Sequence, residues 1–164
     1  MILYHGTRAR FARFTAQSHG RGAEANSVLG IWATRCPHAA SAYGGDRRLL
    51  VLDVPVPRLA IVCCYDTALR GGPDLSPADR EIGIARLKSA RAALRARGIG
   101  GVWCELPGTD LAGAVCLLEP AAIAIRETIE HPECRDLEAL EDPADDSAVD
   151  FSLRLEDLLA TAPA

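Results

Sequence analysis

The apolar positions of this chain fall mostly into short unbroken runs separated by glycine, proline and charge. Ile2 to Tyr4, Ile31 to Thr34, Leu49 to Val54, Leu59 to Cys64, Val102 to Cys104, Ala114 to Leu118 and Ile123 to Ile125 each read as a strand. Branched aliphatic residues without polar alternation predict strands covered on both faces. One stretch has the helical period instead. Between Ser76 and Arg97, Ile84, Leu87 and Leu94 share a face and arginines take the others. Ser76 is the N-cap, Pro77 the first helical residue, Asp79 an acid in the first turn and Gly98 the stop. A shorter alanine-rich helix follows Pro37, delivers Tyr43 and is broken by Gly44-Gly45-Asp46. Phe11 and Phe14 are spaced for one turn of helix. The polar segment 16–27 reads equally as a surface connection or as a lid.

Beyond Glu130 the composition changes. Residues 133–150 are heavily acidic and suit a core poorly. A last apolar cluster, Phe151, Leu153, Leu155, Leu158 and Leu159 behind Ser152, predicts a short helix docking back on the body. The expected organisation is one domain over residues 1–130 and an acidic C-terminal extension over 131–164.

The chain has 164 residues and a formal net charge of −4, with its arginines spread rather than striped. That balance provides no basic field for a nucleic-acid backbone. No run approaches the ~20 apolar residues of a membrane helix, and residues 1–15 lack the apolar core of a signal peptide. A soluble cytoplasmic protein is the expectation. The six cysteines include no CxxC pair and lie mostly in apolar runs, so reduced, buried thiols are expected. A zinc site from Cys36, His38 and the Cys63-Cys64 pair fits no ligand spacing, and no metal is expected.

Candidate chemistry concentrates in two places. Gly30 to Tyr43, GIWATRCPHAASAY, sets Trp32 on a strand and Tyr43 at a helix end, in a chain with two Trp, three Tyr and three Phe. Two aromatics framing one strand-turn-helix unit make a slot for a flat ring. Leu3 to Thr7, LYHGT, ends a strand in a His-Gly pair.

Together these resemble the NAD-binding half of the ADP-ribosyltransferase fold. LYHGT is similar to the family's first motif. GIWATRCPHAASAY aligns without a gap on the GIYFAD…SANY stretch of the poly(ADP-ribose) polymerase-like branch. Gly98 to Cys104, a loop, and Val115 to Ile125 resemble the closing strands of such domains in phage polyvalent proteins. The resemblance spans residues 1 to 128 and implies an α+β fold with a split, bent β-sheet core and flanking helices.

It implies a mono-ADP-ribosyltransferase with NAD as substrate. His5 would bond a ribose hydroxyl and Gly6 the carboxamide through its backbone, with Thr7 beside them in the motif. Trp32, in place of a family tyrosine, would wall the nicotinamide, and Tyr43 would stack on it. Segment 16–27 would help cover the dinucleotide. The family's catalytic glutamate falls at Ala114. Glu105 is the first choice of substitute acid, Asp110 the second; otherwise the acceptor brings the carboxylate, or the domain binds NAD without turning it over. Glu119, before Pro120, is read as structural. By analogy the chain suits a bacterial or phage toxin or effector, with a protein acceptor favoured over a nucleic acid and an antitoxin or immunity protein as a possible partner. An NAD glycohydrolase and a degenerate NAD- or ADP-ribose-binding module are the alternatives.

Overall fold

The apolar runs form strands because each is short, unbroken and bounded by a breaker. A computed structural model describes residues 1–15, 25–45, 47–55, 58–62, 76–104, 113–140, 149–155 and 157. Its strands are β1 (Ile2–Gly6), β2 (Ile31–Thr34), β3 (Arg48–Asp53), β4 (Leu59–Val62), β5 (Gly101–Cys104), β6 (Ala114–Leu117), β7 (Ala124–Glu130) and β8 (Val149–Arg154). They make one mixed sheet in the order β7-β3-β1-β2-β6-β5-β4-β8. β4 runs parallel to β5 and β8, and the other neighbours are antiparallel. The fold class is α+β.

Among the described residues two helices cover one face. α1 (Pro37–Tyr43) starts on a proline. α2 (Pro77–Ala96) has the expected cap, Ser76 Oγ accepting from the Asp79 N–H at 3.1 Å, and buries Gly83, Leu87, Ala90 and Leu94. Its last turn closes through Ile99 N–H to the Leu94 carbonyl at 3.0 Å, with Gly98 at φ 70° in the left-handed region. Leu87, Ala90 and Leu94 join Leu29, Ala60, Val102, Cys116 and Leu118 in one cluster. On the opposite face, Leu3, Leu50 and Leu52 from one half of the sheet cluster with Ile31, Val115 and Leu117 from the other.

The C-terminal extension departs from expectation. Residues 151–154, expected at the start of a docking helix, instead continue from Val149 and Asp150 as β8 on the free edge of β4, and Leu155 behind it is fully buried. The sequence alternates apolar Val149, Phe151 and Leu153 with polar Asp150, Ser152 and Arg154, which is the strand period. An unpaired edge beside β4 supplies the partner that single-strand reasoning does not see. The acidic stretch also contributes to a core: Leu137 is buried against Tyr4, Leu49, Val51 and Ile129, and Tyr4 Oη donates to the Leu140 carbonyl. Phe11 and Phe14 form no helical turn; their rings meet edge to face at 4.9 Å.

A chain ending at residue 148 is expected to leave β4 as an exposed edge. Hydrogen exchange at Leu59–Val62 should accelerate and the protein should self-associate, whereas a dispensable tail would leave both unchanged. No helix among the described residues is long and apolar enough to cross a membrane.

Candidate functional site

The first motif stands where the sheet is most weakly stitched. β1 pairs with β3 along its whole length, from Ile2↔Asp53 to Gly6↔Leu49, but with β2 only at Tyr4↔Thr34. Thr7 N–H to the Arg48 carbonyl and Val54 N–H to the Met1 carbonyl, both 3.0 Å, show that the odd residues of β1 bond to β3. In an antiparallel ladder the even residues then aim their N–H and C=O the other way. Gly6 therefore presents its backbone amide and carbonyl toward β2, past the last registered pair.

His5 is the reason the ladder stops there. Continued by one step, the β1–β2 register would set Gly6 against Trp32. Instead the His5 ring Nδ1 lies 2.7 Å from the Trp32 carbonyl. A carbonyl only accepts, so Nδ1 carries the proton. Burial holds the imidazole below its ordinary value of 6.5, with the Trp32 carbonyl pulling weakly the other way. The ring is thus neutral at pH 7, and Nε2 keeps its lone pair as an acceptor. Phe14 braces it edge to face at 5.4 Å.

α1 packs directly on Gly6. A Cβ there would meet the Ala40 carbonyl oxygen at 1.7 Å and Gly44 N at 2.6 Å, and one on Gly44 would meet Thr7 N at 2.6 Å. The end of α1, and with it Tyr43, is held beside the end of β1. Tyr43 remains 56% exposed, so its ring offers surface to a ligand. Trp32 is half-buried against the α2 side of the sheet.

These placements contradict the expectation of a single slot, because they divide the four residues between the two faces of the sheet. Trp32, Tyr43 and the bare face of Gly6 belong to the helical side. The side chain of His5, one residue on from Tyr4 in an alternating strand, lies on the other side with Phe14. It meets the helical side only through the plane of the sheet, at the Trp32 carbonyl. The glycine at position 6 is also demanded by helix packing, a reason independent of any ligand. Thr7 Oγ1 accepts from Ala9 N–H at 3.1 Å and so shapes the chain after the motif.

Ala114 pairs with Thr34 at the end of β6 and is buried in the cluster that Trp32 packs against. Glu105 and Asp110 lie outside the described residues, and β1, β2 and β6 carry no acid. Glu119 makes an ion pair with Arg95 at the end of α2. Cys104 and Cys116 are buried, burial pushing the Cys116 thiol well up, whereas Cys36 and Cys134 are exposed.

Sequence reasoning missed Arg48. It is buried, forks onto Glu130 at 2.9 Å through Nε and Nη2, and bonds the Ala9 carbonyl. The contact ties the segment after the first motif to the end of the β3–β7 pair and holds the Glu130 carboxyl below its ordinary range. An arginine opening an aliphatic strand is the signal that marks it.

Compared with known proteins, the chain matches no protein-family model, no curated protein and no solved structure.

Proposed function

We propose that this chain binds NAD⁺ where β1 and β2 part and transfers one ADP-ribose unit to an acceptor, as its resemblance to ADP-ribosyltransferases implies. The observation that carries the reading is the backbone of Gly6, aimed toward β2 past the last registered pair, together with a neutral His5 that has a lone pair on Nε2 and reaches the same gap from the other face. An amide N–H and a carbonyl side by side match a carboxamide, which has one acceptor and one donor edge. An imidazole acceptor matches a ribose hydroxyl. Tyr43 offers a face to the cationic nicotinamide ring, and Trp32 takes the facing wall in this proposal. The split of the family's sheet would be the gap beyond Tyr4↔Thr34.

In the proposed reaction the bond between ribose C1′ and the nicotinamide nitrogen breaks, and its electron pair leaves with neutral nicotinamide. A new bond forms from C1′ to the acceptor, which loses a proton. Positive charge develops on the sugar, so the protein's work is positioning and electrostatic stabilisation. Glu105 is the proposed acid near C1′, with Asp110 as the alternative.

A second reading is favoured by Ala114, an apolar residue where the family has its glutamate: a module that binds NAD or ADP-ribose without turnover. Incubation with NAD⁺ labelled separately in nicotinamide and adenylate decides. Transfer predicts nicotinamide release, label on an acceptor, and a loss of about a hundredfold or more in Glu105→Gln. Release without transfer means a glycohydrolase, binding without release means the module, and no binding removes the reading. Full activity in Glu105→Gln removes that residue from the mechanism.

A further inference from the structure

The stretch between the first motif and Phe14 is tied down at both ends, and Arg48 makes the tie at its start. β3 alternates, with Leu49 and Val51 in the cluster that includes Ala40 of α1, and Leu50 and Leu52 in the one on the opposite face. Arg48 therefore stands on the Leu50 side, and Leu50 is the registered partner of His5. Arginine and imidazole share one face of the sheet. Opposite Arg48 in the ladder is Glu130, whose carboxylate accepts from Nε and Nη2 at 2.9 Å. That two-point pairing fixes the plane of the fork and leaves Nη1 to donate to the Ala9 carbonyl. Thr7 N–H bonds the Arg48 carbonyl at 3.0 Å, and Ala9 N–H bonds Thr7 Oγ1 at 3.1 Å. At the far end Phe14 is buried against His5, whereas residues 8–13 between are all exposed. An exposed stretch has little apolar contact to fix its course, so its path depends on its ends.

We infer that Arg48 is a positioning residue for His5: clamped on Glu130, it pins the Ala9 carbonyl and so lays residues 8–14 as a strap that keeps Phe14 against the imidazole. The ring has need of such a brace. Nδ1 is held by the Trp32 carbonyl, but a single hydrogen bond lets a ring tilt about it, and Phe14 closes that freedom from the side. The charged groups around this face leave the imidazole to its cover. Arg8, Arg10 and Arg13 of the strap are exposed, Arg35 after β2 lies over the Trp103 ring, and Arg48 is balanced by Glu130. The His5 titration therefore reports how well the ring is covered, burial being its larger cause. What Arg48 does for turnover rests on the NAD reading above, whereas what it does for the imidazole does not.

The test follows the His5 and Phe14 rings by proton NMR in wild type, Arg48→Met, Arg48→Lys and Glu130→Ala, with NAD⁺ turnover measured alongside. Methionine keeps the apolar stem and removes every donor, so the cross-relaxation between the two rings should be lost and the imidazole should titrate closer to its ordinary 6.5. Turnover should fall about ten- to a hundredfold, the scale of a displaced group at the reacting sugar. Arg48→Lys should restore part of each readout, since a point charge cannot fork onto the carboxylate and reach the carbonyl as well. Glu130→Ala, at a half-exposed position that tolerates truncation, removes the anchor of the clamp and should move the same readouts in the same direction, which covers an Arg48→Met that does not fold. Leu94→Val opens space in the cluster on the helical face and is the control: it should lower the melting temperature and leave the ring contact and the titration alone. Rings still in contact with an unchanged titration in Glu130→Ala and in folded Arg48→Met overturn the inference and leave the NAD reading standing. So does an equal change in Leu94→Val, which means general loosening, and so does full turnover with the rings displaced. Rings displaced as expected in a protein whose wild type does not bind NAD⁺ keep the brace on His5 and remove the NAD reading.

Discussion

Gly6→Ala is expected to lower the melting temperature by roughly 6–12 °C and to weaken NAD⁺ binding with it. The added Cβ falls 1.7 Å from the Ala40 carbonyl oxygen and 2.6 Å from Gly44 N. Both obstacles are backbone, so no rotamer change relieves them and α1 has to lift from β1. Overpacking costs up to about 3 kcal/mol, and a domain of this size loses about 2–4 °C per kcal/mol. Gly98→Ala is the control: its Cβ meets nothing within 4 Å, and only the left-handed φ of 70° opposes it, a cost of about 1–2 kcal/mol. Calorimetric melts of the two variants separate close approach from strain. If Gly6→Ala melts with the wild type, α1 does not rest on β1, and Tyr43 loses its place beside the first motif.

The second large effect belongs to His5. His5→Ala is expected to cut turnover about a hundredfold, the scale of losing a positioned contact to the reacting sugar. His5→Asn is the sharper variant, because its amide N–H can replace Nδ1–H at the Trp32 carbonyl while nothing replaces Nε2. It should keep the melting temperature and still lose turnover. A fold role alone would spare turnover in His5→Asn.

The imidazole also gives a pH signature. Its folded-state pKa lies below the ordinary 6.5, so in acid the unfolded chain binds a proton that the folded one resists. Stability therefore rises with pH through the window below 6.5 and is constant above it. NAD⁺ affinity should fall in the same direction as protonation turns Nε2 from acceptor to donor. Melting curves from pH 5 to 8 should show the slope in wild type and a reduced one in His5→Asn. An identical slope in both assigns it to another group.

Much of the local structure was legible along the chain because it depends on neighbours in sequence. The capping residues of α2, the breaker glycines after Tyr43 and the aliphatic run of β3 state their conformation by themselves. The apolar run Ile123 to Ile125 marks only the start of β7, which runs to Glu130, because its later residues are mostly solvent-facing and carry no apolar signature. The apolar residues of β8 satisfy both the helical and the strand period at their close spacing, and the edge of β4 decides for the strand. Leu137 sits in the acidic stretch that composition reads as unsuited to a core, yet it is buried in the cluster with Tyr4 and Ile129, and Leu140 packs beside it.

For the candidate site the division is similar. Residue order alone determined that a His-Gly pair ends a strand and that a strand-turn-helix unit carries Trp32 and Tyr43, since breakers and short-range periods encode those features. Only the tertiary structure decided that β1 and β2 part after one pair, that His5 bonds the Trp32 carbonyl, and that Arg48 bonds the Ala9 carbonyl. Those are contacts between segments distant in sequence, chosen by packing and by the competition for backbone hydrogen bonds, and no local pattern records them.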